Sequence, residues 1–239
     1  MFMWNYGRKI IEYIFKKRIS DKYPVPSTKR IESDLQNGIV TVLNLVFICL
    51  LLMSCSCKDG EGTILPDDLE LAEGDIVFRR GTGLMSHTVV AADGGKYSHM
   101  GIVVDSAGVK MVVHAVPDEP DFPGDVDRVK MEPPSKFFST FNAVVGEVMR
   151  HKDKKVAEVA AREALRLYRR GILFDHDYDD SDSTRLYCSE LVERAYLWAG
   201  VSLAEERRHD FIVPGFHFEH VIMPTDIYES SLIRTISRF

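Results

Sequence analysis

Between residues 76 and 149 strand-length apolar segments follow one another, and helical spacing takes over only behind them. Residues 76–79 open the series after a Gly74-Asp75 turn. Residues 98–105 and 109–116 read as a hairpin. Residues 126–131 and 143–149 are two further strands, separated by a Pro-Pro start and a short Lys136-Phe137-Phe138 helix. Residues 86–92 read as a helical turn with Ser86 as N-cap. Residues 156–168 carry Val156, Val159, Ala160, Ala164 and Leu167 on one stripe, the spacing of a helix laid on a core. A second helix begins at Cys188, with Leu191, Val192, Ala195, Tyr196 and Ala199 on its apolar side, and residues 232–236 form a last strand. Strands in a row followed by helices predict an α+β domain, an antiparallel β-sheet packed against helices.

A length of 239 residues suits one ordinary domain plus an appendage, or two small domains. Residues 1–54 hold eight Lys/Arg against four Asp/Glu, so of the net charge of −6 the remainder carries −10. That acidic body supplies no basic footprint and excludes a nucleic-acid partner. Residues 39–53 are almost wholly apolar; at 15 residues the run is shorter than the roughly 20 of a spanning helix and fits a signal-peptide core. It ends in Leu52-Met53-Ser54-Cys55, which resembles a bacterial lipobox. That resemblance implies lipidation of Cys55 and a membrane-anchored lipoprotein of the bacterial cell envelope. Residues 1–54 are then a signal or anchor segment, 55–66 a tether and 67–239 the functional domain. The 38 residues ahead of the apolar run exceed a usual signal n-region, which points to a start placed upstream of the true one, the other reading being a cytoplasmic tail on a short anchor.

Of the four cysteines, Cys49, Cys55 and Cys57 cluster at the apolar run and leave Cys188 alone in the main body. Neither a disulfide framework nor a cysteine-based zinc site can be built there, and no cofactor is implied. A cysteine in the first turn of a helix feels the positive helix end, which lowers its pKa and favours the thiolate, a nucleophile. The alternative is a buried cysteine serving as a small hydrophobe. If the hairpin turns tightly on Ser106-Ala107, Asp105 pairs with Gly108 and His99 falls opposite His114; a turn one residue longer puts them on opposite faces. Two histidines on one face suit a base and the group that orients it, and either is otherwise a half-buried structural histidine. His87, His151, His176, His209, His217 and His220 fall in loops or near element ends and take no role. The acidic run from Asp175 to Asp182 has Asp180 and Leu186 where a calcium loop needs glycine and glutamate, so it reads as a solvated loop.

Three segments taken together resemble the strand series of the NlpC/p60 papain-like cysteine peptidases: Gly74-Asp75-Ile76-Val77-Phe78, Ser98-His99-Met100-Gly101-Ile102-Val103 and Val113-His114-Ala115. The nucleophile helix of those enzymes precedes the histidine strand, whereas Tyr187-Cys188-Ser189-Glu190-Leu191-Val192 follows it here. That order is similar to the circularly permuted YaeF/YiiX-like branch, over roughly residues 69–200. The resemblance implies a permuted papain-like fold with Cys188 as nucleophile, His99 as general base and His114 as third polar residue. It places Tyr187 and the Cys188 amide at an oxyanion site, with Ser98 beside the base. Tyr187 and Glu190 replace the aspartate and glycine of the unpermuted motif, so Asp175 or Glu190 would have to supply the carboxylate that holds a free amino end. The expectation is an envelope thiol hydrolase acting on a peptide, muropeptide or related amide. The alternatives are an acyltransferase or lipid amidase on the same thiol, or a non-catalytic envelope-binding lipoprotein.

Overall fold

A computed structural model describes residues 62–181, 184–213 and 216–239. All described residues fall in one compact unit, Asp59–Phe239. The apolar run of residues 39–53 and Cys55 lie outside the described residues. Among the described residues no helix is long and apolar enough to cross a membrane.

The elements run β1 (Ile76–Arg80), α1 (Leu84–Asp93), β2 (His99–Ser106), β3 (Val109–Val116), β4 (Arg128–Glu132), α2 (Pro134–Phe137) and β5 (Val145–His151). Then come α3 (Lys154–Arg169), β6 (Leu173–Phe174), β7 (Arg185–Leu186), α4 (Cys188–Trp198), β8 (His209–Val213), β9 (Phe216–Val221), α5 (Pro224–Tyr228) and β10 (Ile233–Arg238). One sheet has the order β10-β5-β1-β2-β3-β4-β6-β7, antiparallel throughout except for the short β6–β7 pair. Strand alternation splits the buried residues in two. Phe78, Met100, Ile102 and Val113 join Ala160, Ala164 and Leu191 of α3 and α4 in the larger core. Val77, Val103 and Val112 turn the other way, onto Phe137 and Phe138.

The Gly74-Asp75 pair knots these layers together. Gly74 has φ +84°, and a Cβ there would lie 2.4 Å from the Ala157 carbonyl oxygen, so only glycine lets β1 approach α3 this closely. Ala157, Ala160, Ala161 and Ala164 give α3 the thin face that permits the approach. Asp75 is fully buried and accepts from Ala72 N–H at 2.7 Å and from Arg150 Nε and Nη2 at 2.6 and 2.8 Å. The Tyr196 hydroxyl of α4 donates to the Gly74 carbonyl at 2.7 Å. The Asp153 side chain caps α3 by accepting from Lys155 N–H at 2.8 Å, worth about 1 kcal/mol.

Several details depart from the sequence reading. The β2–β3 hairpin turns on Ala107-Gly108, with φ 55° and 84°, and pairs Ser106 with Val109. Two positive φ values make this the type I′ turn that suits the strand twist, and glycine takes the second place at no steric cost. The register is therefore shifted by two residues from the expected Asp105–Gly108 pairing, so His99 is no longer directly opposite His114 but, parity being kept, stays on the same face. Ser86 is not the N-cap of α1; Gly83 is, and Ser86 Oγ bonds Ser98 Oγ from inside the helix. His209, His217 and His220, by contrast, lie as expected at or next to element ends, those of β8 and β9. The acidic loop is not simply solvated: Asp175 is buried, and Asp180 pairs with Arg208 Nε at 2.5 Å.

Gly74→Ala is expected to lower stability by about 1–3 kcal/mol or more, because the new methyl group meets backbone at a left-handed position. Urea unfolding followed by circular dichroism measures it. An unchanged midpoint would show that the close approach is not needed.

Candidate active site

The site forms where β2 and β3 part. They pair from Ile102–Val113 to Ser106–Val109, whereas residues 99–101 of β2 pair only with β1 and residues 114–116 of β3 only with β4. Extending the β2–β3 register sets Gly101 opposite His114 and His99 on the diagonal, on the same face. A Cβ on Gly101 would lie 3.0 Å from His114 Cβ and 2.9 Å from the Val113 oxygen. The glycine of Ser-His-Met-Gly thus clears the space across which the two rings meet. His99 Nε2 and His114 Nδ1 are 2.8 Å apart, and Phe137 packs edge-on against the His114 ring with centroids 5.2 Å apart. Among the described residues the other nitrogen of His99, Nδ1, has no hydrogen-bond partner. Ser98 holds the preceding backbone in place: its Oγ accepts from Gly81 N–H at 3.2 Å and bonds Ser86 Oγ.

Cys188 is the first residue of α4 and is half-buried. The Met100 N–H, one residue beyond His99 at the parting of the strands, reaches its thiol. The thiol also contacts Ser189 Oγ at 3.7 Å. It makes no hydrogen bond to His99, whose Nε2 is engaged by His114.

Electrostatics correct one expectation. Burial pushes the Cys188 thiol up, outweighing the Ser189 hydroxyl and the amides of Met100, Ser189 and Cys188 itself, which pull it down. The helix end therefore does not leave a resting thiolate. Burial, then Arg79, His114 and Lys130, hold His99 well below the usual histidine range. Burial, Arg79 and Lys130 do the same to His114. At neutral pH the thiol and both rings therefore rest uncharged.

The remaining expected site residues are engaged inside the fold. Tyr187 is buried, its hydroxyl accepting from Ile222 N–H at 2.9 Å. Asp175 accepts from the Asp177 and Asp179 amides at 3.1 and 2.7 Å and so shapes the acidic loop. Glu190 is fully buried and takes Arg194 Nε at 2.6 Å on one oxygen. Burial, opposed by Arg194, pushes Glu190 up to about 8. Two groups escaped the sequence reading. Tyr178, at φ 56° and with ring centroids 5.3 Å from Tyr187, feels Cys188; burial first and then that neighbour push its hydroxyl up to about 12. Glu132, the last residue of β4, puts Oε1 3.1 Å from His114 Nε2. Its one sequence signal is alternation, since Lys130 and Glu132 share a face of β4 that pairs with the His114 strand.

A family model described as permuted papain-like amidase enzyme, YaeF/YiiX, C92 family, matches residues 70–229. Among solved structures the chain is similar to one titled the metalloprotein yiiX from Escherichia coli O157:H7. The TM-score is 0.58 at 20% identity over 72% of this chain and 99% of that one, a likeness of fold. No curated protein matches the chain. The expected permuted papain-like α+β fold, with its cysteine helix behind the histidine strand, is the fold observed. Among the described residues no group of three His, Cys, Asp or Glu side chains is placed to hold a metal ion.

Because burial raises the thiol, the alkylation rate of Cys188 by iodoacetamide should climb only as pH rises through the free-cysteine value of about 8.5 and beyond. A plateau already reached near pH 6 would reveal a resting thiolate and contradict the uncharged resting thiol.

Proposed function

The chain belongs to the permuted papain-like amidases, a family of cysteine amidases and peptidases, and we propose that it hydrolyses an amide bond through Cys188, His99 and His114. The observation that carries this reading is the 2.8 Å bond between the rings, formed one residue from the Met100 amide that helps lower the Cys188 thiol pKa against burial. The sulfur attacks the amide carbonyl carbon while His99 takes the thiol proton, so the thiolate arises only as the bond forms. The developing oxyanion accepts from the Cys188 amide at the start of α4. The C–N bond then breaks, His99 gives its proton to the leaving amine, and an acyl-thioester remains. Water attacks the thioester with His99 as base, releasing the carboxylic acid and restoring the thiol. A peptide or muropeptide is the substrate class of this reading.

An envelope location with a lipid on Cys55 belongs to the same proposal, supported by the apolar run of residues 39–53 and its lipobox-like end. A labelled palmitate fed to expressing bacteria should enter the protein and be lost in Cys55→Ser. Equal labelling of both would place the lipid elsewhere.

One observation favours a second reading, transfer or release of a fatty acyl group. Helix α1 has no buried residue although it is apolar, and Leu84 and Met85 are 83% and 56% exposed. Its ends are tied beside the site by polar bonds, Ser86 to Ser98 and Asp93 Oδ2 to Thr225 Oγ1 at 2.6 Å. An apolar wall there suits a hydrocarbon chain. Turnover of short peptide amides against long-chain fatty amides decides between the two. Under either reading Cys188→Ala should cut kcat by at least about a thousandfold. Undiminished turnover would remove Cys188 from the chemistry.

A further inference from the structure

The polar chain behind the cysteine does not end at His114. His114 and Glu132 are 0% and 2% exposed, and their 3.1 Å contact lies off the hydrogen-bond axis. His114 Nε2 and both Glu132 oxygens consequently lack a full hydrogen bond in the interior. Buried polar atoms left in that state are few in native proteins, and catalytic contacts often align only once substrate is bound. The surrounding charges come from β4 itself and from two further elements. Arg79 of β1 donates to the Phe137 carbonyl at 2.8 Å and pairs with Glu119. Lys130 of β4 reaches Asp121 at 3.0 Å. Lys136 of α2 stands 2.9 Å from Asp121 and 3.4 Å from Glu132 Oε2. Glu119 and Asp121 face the cations alone, whereas Glu132 turns Oε2 to Lys136 and, at 3.9 Å, Lys130, and Oε1 to the ring.

We propose that Glu132 is a positioning residue that sets the tautomers of both histidines. The inference rests on the Cys188–His99–His114 reading given above. A carboxylate only accepts hydrogen bonds. Facing one, His114 carries its proton on Nε2, which leaves Nδ1 bare. The contact of 2.8 Å must then be His99 Nε2–H donating to His114 Nδ1. His99 is left with an unprotonated Nδ1, ready to accept the thiol proton. With an apolar side chain at position 132 the whole order can invert. His114 would hold its proton on Nδ1 and donate to His99 Nε2, and His99 Nδ1 would carry a proton and be useless as a base. A carboxylate two strands away therefore decides whether the base is a base.

Nitrogen-15 NMR of histidine-labelled protein at pH 7.5 tests this, with the two rings assigned by their loss in His99→Gln and His114→Gln. Both rings should show only the Nε2–H pattern in the unaltered protein. Glu132→Gln should keep it, because the amide oxygen still accepts. Glu132→Leu should lose it on both rings, giving Nδ1–H signals. An Nδ1–H signal from either ring of the unaltered protein overturns the proposal, and so does an unshifted pattern in a folded Glu132→Leu. If Glu132→Leu does not fold, the pattern of the unaltered protein decides alone. These spectra need no substrate, so an inactive result in the amide assay would overturn the hydrolase reading without touching this one.

Discussion

The contact between His99 and His114 depends on conditions that no single side chain supplies. The hairpin must close on Ala107-Gly108 so that both rings share a face. Position 101 must lack a side chain so that the diagonal is open. The two strands must separate beyond Ile102 so that the Met100 amide can turn to the Cys188 thiol. Sheet geometry thereby brings a group from a helix and a group from a strand to one place, although the helix packs on one face of the sheet and the rings lie on the other. A single-residue slip in either strand would undo all of it at once.

Burial then sets the chemistry. Desolvation outweighs the start of the helix at Cys188 and lowers both histidines, and the cations Arg79 and Lys130 push the rings further in the same direction. The result is a thiol and two rings that all rest uncharged. The charged groups beneath the rings are arranged to be neutralised among themselves. Against burial, hydrogen bonds from Lys136 and Lys130 hold Asp121 down at about 2, so that a carboxylate always accompanies those two ammonium groups.

Much of what reads as a functional motif is spent on holding the frame. Gly74 and Asp75 lock β1 against α3 and β5. Tyr187 anchors the start of α4 to the Ile222 backbone, and Asp175 folds the acidic loop that leads into it. Glu193, also buried, is satisfied by the Leu203 and Ala204 amides at 2.9 and 3.0 Å and fixes the turn after α4. Glu190, one turn earlier, keeps one oxygen without a partner and is the least settled carboxylate of the helix.

The sequence by itself determined the strand series and the two long helices, and it singled out Cys188 as the lone cysteine of the main body, because alternation, helical spacing and the scarcity of cysteine are local properties. It also determined that the two rings could share a face, since that depends only on parity. The β8–β9 hairpin and α5 were not legible, their segments being short and lacking a clear period. Glu132 was not legible either, because a glutamate at a strand end is ordinarily solvated. Only the tertiary structure turned it inward beneath His114, by pairing β4 with β3 and closing α2 over that face. The protonation of the thiol was likewise decided by folding. A helix start favours the thiolate, but the desolvation that opposes it exists only once the sheet, the acidic loop and α4 have closed around the sulfur.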